Sequence, residues 1–123
     1  MPKNNKPTPI EQLVAIKVLL GACLKDLVAS KKDGNIPDMS QITKTVTLSV
    51  ELTSEVQKEL AVSSAEITQA IEKTEMLLKE SLKAISEADG DFNKVLVINL
   101  TYYLAMADGA IQNVLKKFED SEP

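Results

Sequence analysis

The stretch Thr45–Thr53, "TVTLSVELT", alternates polar and apolar residues without a break. Val46, Leu48, Val50 and Leu52 would share one face of an extended chain, and Thr and Val favour strands. Read as a helix, at about 100° per residue, the same residues join a longer pattern. Ile42, Val46, Leu48, Val50, Leu52, Val56 and Leu60 fall on one broad face, with Lys44, Glu51, Glu55 and Lys58 opposite. The alternation stops at Thr53 but the helical pattern continues to Leu60. A strand also needs a partner, and the other candidate, "KVLVINLTYYL" from Lys94, has a helical stripe of its own. The stretch is therefore expected to be helical, against its local propensity.

Outward from that segment the boundaries are marked. Residues 1–7 read as a flexible arm. "TPIE" at Thr8 to Glu11 is a capping box with Pro9 at the first helical position, and it starts helix 1, expected to run to about Ser30. Gly34 and Pro37 end it. Asp38 and Gln41 open helix 2, expected to reach about Ala61. Ser63 with Glu66 forms a second capping box, and Val62 with Ile67 a hydrophobic staple, before helix 3 runs to about Ala88. Asp91 is the expected cap of helix 4, which ends near Phe118. One helical domain over residues 8–119 and an acidic tail at 120–123 result. Similar lengths and short connections predict an all-α, up-down-up-down four-helix bundle. In the rival arrangement helices 2 and 3 form one rod, because their apolar stripes stay in phase across Ser63.

Composition narrows the function classes. The 123 residues include no His and only one Cys. That removes the commonest general base and the commonest neutral metal ligand. Every positive side chain is Lys, so no guanidinium clamp for phosphate exists. The net charge of -4 argues against nucleic acid as a partner. No enzyme, cofactor or metal site is expected. Asp89, Asp91 and Asn93 alternate as in a calcium loop, but Lys94 and Leu100 stand where its glycine and closing glutamate belong. Asp108 and Gly109 form an acidic turn-like "ADG" with no second acid at ligand spacing. "LLGAC", Leu19 to Cys23, resembles a bacterial lipobox; Glu11 and Lys17 interrupt the required apolar run, which favours a small buried Cys on helix 1. Glu66, Glu72, Glu75, Glu80 and Glu87 read as a solvated face of helix 3.

The helices are unequal. Helix 3 has one apolar face, whereas helices 1 and 4 are apolar nearly all round. Behind the core stripe of Leu13, Ile16, Leu20, Leu24 and Leu27, helix 1 carries Val14, Val18, Gly21 and Ala22. Behind that of Phe92, Leu96, Leu100, Leu104, Ile111 and Leu115, helix 4 carries Val95, Ile98, Tyr102 and Met106. A helix apolar on two sides is buried on two sides. These eight residues are the expected partner interface of a non-enzymatic, cytoplasmic assembly protein, a homodimer or the dock of another protein. Size and composition suit a small prokaryotic or phage accessory factor. The alternative is a lipid-surface binder, against which the mixed Glu and Lys of helices 2 and 3 argue.

Overall fold

A computed structural model describes residues 8–60 and 65–121, and among them every regular element is a helix. The four are α1 (Pro9–Asp33), α2 (Met39–Glu59), α3 (Ala65–Ala88) and α4 (Lys94–Ser121). Each packs on its neighbours in the chain and α4 closes on α1, while the two diagonal pairs do not meet. That is the four-helix bundle expected from the sequence. Because α2 and α3 lie side by side, the single-rod arrangement is excluded. The second capping box and its staple involve Val62 and Ser63, which lie outside the described residues. Glu66, the other half of that box, pairs its carboxylate with Lys117, which holds it below the usual carboxylate range.

Local chemistry sets the ends. Thr8 accepts from the Glu11 backbone N–H at 3.2 Å and donates its own backbone N–H to the Glu11 carboxylate at 2.8 Å. Gly34 closes α1 in the left-handed region, at φ 77°, where a Cβ would be strained. Asp38 caps α2 by accepting from the Gln41 N–H. The cap of α4 is Asn93 and not Asp91: its side-chain oxygen accepts from the Leu96 N–H at 3.1 Å. Helix α4 also continues to Ser121, two residues into the segment read as an acidic tail.

All of "TVTLSVELT" is inside α2. Its buried residues are Met39, Ile42, Val46, Ser49, Thr53 and Val56, spaced alternately by three and four. Leu48, expected on the core face, is 44% exposed. Two residues turn a helix by about 200°, so Leu48 cannot share a face with Val46. Ser49 and Thr53 take the core positions instead. Their hydroxyls donate to carbonyls one turn back, Thr45 and Ser49, at 2.9 and 2.7 Å. A hydroxyl satisfied in this way is buried at little cost.

The same three-four spacing recurs on every helix: Leu13 to Ser30 on α1, Ile71 to Ile85 on α3, Val97 to Val114 on α4. It is the spacing that lets bundle helices interlock side by side. The Lys17–Asp108 pair at 3.1 Å and the Lys117–Glu66 pair mark the register of α4 against α1 and α3. In that register Ile16, Thr53, Thr74 and Ala107, all fully buried, come to about one level.

Candidate interaction face

Helices α1 and α4 run antiparallel and share one outer surface of the bundle. Among the described residues, seven exposed large hydrophobic residues lie on these two helices: Ile10, Val14, Val18 and Val28 on α1, and Val95, Ile98 and Tyr102 on α4. Helix α2 adds only Leu48, α3 only Met76, and the α1–α2 loop Ile36. No charged residue stands between Lys94 and Asp108 along α4. The asymmetry read from the sequence is thus present in three dimensions.

The two stripes meet along a shallow seam. Lys17 of α1 and Asp108 of α4 cross it, with both oxygens of the carboxylate within 3.3 Å of the ammonium. Four residues further on α1 is Gly21; three residues back on α4 is Ala105. Both are exposed, so the seam is low there. A Cβ built on Gly21 meets nothing within 4 Å. Packing within the chain therefore does not require glycine, although a mid-helix glycine costs about 1 kcal/mol relative to alanine. Tyr102 stands beside the low point, 63% exposed, its ring tilted against Tyr103 with centroids 6.3 Å apart.

Of the eight interface residues read from the sequence, Val14, Val18, Gly21, Ala22, Val95, Ile98 and Tyr102 are exposed on this surface. Met106 is not. It turns toward α3, partly buried, beside Ala70 and Lys73. Ile10, Val28 and Ile36 belong to the exposed apolar set and were not singled out in the sequence. Val28 had a signal, since Val14, Gly21 and Val28 repeat at seven-residue intervals.

Other chemistry-bearing residues are engaged or dispersed. Cys23 is 3% exposed in the core, and burial pushes its thiol up to about 11. Removal of the chain before it would delete the first half of α1, including its cap. Asn93 spends its oxygen on the cap, and Asp108 on Lys17. Among the described residues no three His, Cys, Asp or Glu side chains converge. No protein-family model, curated protein or solved structure matches the chain.

Proposed function

We propose that the protein is a non-enzymatic helical assembly module, and that the outer α1/α4 surface binds a second copy of the same chain. The observation that carries this is the concentration of exposed large hydrophobic side chains on α1 and α4. Seven such residues, each between 39% and 65% exposed, lie on these two helices. The largest apolar patch on a typical monomer is roughly 300–600 Å², and a standard interface buries about 800 Å² per partner.

A second copy fits because the surface is complementary to itself. An antiparallel two-fold arrangement, centred at the level of Gly21 and Ala105, brings the two low points together. It sets α1 against α1 of the other copy, with Gly21 beside Gly21 and Val14 beside Val28. A two-fold contact of this kind closes on itself and limits the assembly to a dimer.

The test is covalent trapping. With Val14→Cys and Val28→Cys in one chain, mild oxidation is expected to give a disulfide-linked pair of chains. Cys23, being buried, takes no part. Crosslinking no faster than in a Leu48→Cys, Met76→Cys control refutes the arrangement. The lipid reading draws on α4, which by length and composition alone is apolar enough to cross a bilayer. Sedimentation of the protein with vesicles, without crosslinking in solution, favours that reading.

A further inference from the structure

At the end of the bundle where α1 stops and α4 starts there is a cavity of about 230 Å³. Ile36, Val97 and Ile98 form its apolar wall, and Lys31 and Lys94 stand at its edge. The two lysines come from different helices. Neither has an ion-pair partner among the described residues. Lys94 also occupies the first turn of α4, where no acidic residue is present. The positive end of a helix disfavours an ammonium there, and the exposed Lys94 side chain is left to solvent.

We propose that this cavity binds a short anionic amphiphile, an aliphatic carboxylate. The carboxylate would lie between the Lys31 and Lys94 ammoniums, with the hydrocarbon against Ile36, Val97 and Ile98. Taking roughly 30 Å³ per water-sized group, the space holds about seven or eight carbons. It is below the roughly 300–1,000 Å³ of sites for drug-sized ligands, which suits a short ligand. The site shares Ile98 with the proposed contact face, while Lys31, Ile36, Lys94 and Val97 lie at the end of the bundle.

The test uses octanoate, in monomeric form, on the full chain. Calorimetry is expected to show one saturable site. Amide shifts should concentrate at Gly34, Ile36, Lys94 and Val97. Octylamine, with the same chain and the opposite charge, should bind at least about tenfold more weakly. Lys31→Gln with Lys94→Gln should lose about tenfold in affinity, the order that two exposed ion pairs supply, with an unchanged circular dichroism spectrum. Equal binding of octylamine overturns the proposal. So do shifts scattered along Val14, Val18 and Tyr102, or no saturation by about 10 mM. Binding to phosphatidylglycerol vesicles without binding to octanoate assigns the lysines to a lipid surface and also overturns it.

Discussion

Changing Val18 and Ile98 together to glutamate separates folding from association. In the single chain Val18 is 65% exposed and Ile98 50% exposed. Substitutions at such positions typically change the stability of a fold by no more than about 0.5 kcal/mol each, and glutamate is at least as good a helix former as valine or isoleucine. In the dimer the exposed half of each side chain is covered. Full burial of a Val or Ile side chain contributes about 1.5–3 kcal/mol, so the covered half contributes roughly 1 kcal/mol or more. Two residues in each of two copies give about 4–6 kcal/mol, a loss of three or four orders of magnitude in affinity. The four new carboxylates have one sign, so they form no ion pair with one another across the contact. Sedimentation velocity and urea unfolding on the same samples read both quantities. The control is Leu48→Glu with Met76→Glu, 44% and 56% exposed on α2 and α3. A folded monomer from the first variant and an unchanged dimer from the control are expected. Equal effects of the two variants, or a loss of more than about 2 kcal/mol of monomer stability in the first, refute the reasoning.

Three further outcomes follow from the fold. Val50→Pro removes an internal hydrogen bond of α2 and clashes with the preceding turn, costing roughly 3 kcal/mol or more, and the helical double minimum in far-ultraviolet circular dichroism should weaken at 25 °C. Thr53→Val exchanges a buried hydroxyl that only back-bonds its own helix for a methyl group; the urea midpoint should hold or rise by an amount equivalent to about 0.5–1 kcal/mol, and a fall of 2 kcal/mol means the hydroxyl has a role beyond its own helix. The Cys23 thiol is raised from 9.0 to about 11 by burial, so between those values the unfolded chain holds fewer protons than the folded one. Stability is then fully present below pH 9 and declines as the pH rises toward 11; Cys23→Ala should flatten that decline in pH-dependent urea melts.

The fold was legible in the sequence because its boundaries are chemical. Thr8 with Glu11, Asp38 with Gln41, and the breaks at Gly34 and Pro37 mark helix ends whatever the interior contains. What was not legible was the inner face of α2. A pattern of apolar residues assigns Leu48 to the core and Ser49 and Thr53 to the surface, because hydrophobicity ignores hydroxyls that their own helix satisfies. The strict three-four spacing from Met39 through Val56 carries the correct assignment, and it holds only if Ser and Thr count as permitted core residues. The cap of α4 was misplaced for a similar reason. Asp91 and Asn93 are both able to cap, and the backbone between them decides which does.

The outer face was legible because a helix with two apolar stripes has one more than a bundle can cover. Met106 shows the limit of that reading. It lies one turn from Tyr102, but four residues advance a helix by about 400°, and the extra roughly 40° carries it round toward α3. The pocket at Lys31, Ile36 and Lys94 left no trace in the sequence, since these residues are brought together by the closure of α4 on α1.

The mass of the unmodified protein in solution tests self-association most directly. Multi-angle light scattering at about 100 µM, where a dimer with a 1 µM dissociation constant is mostly associated, should return twice the 13.4 kDa of one chain. A single species at the mass of one chain contradicts the account.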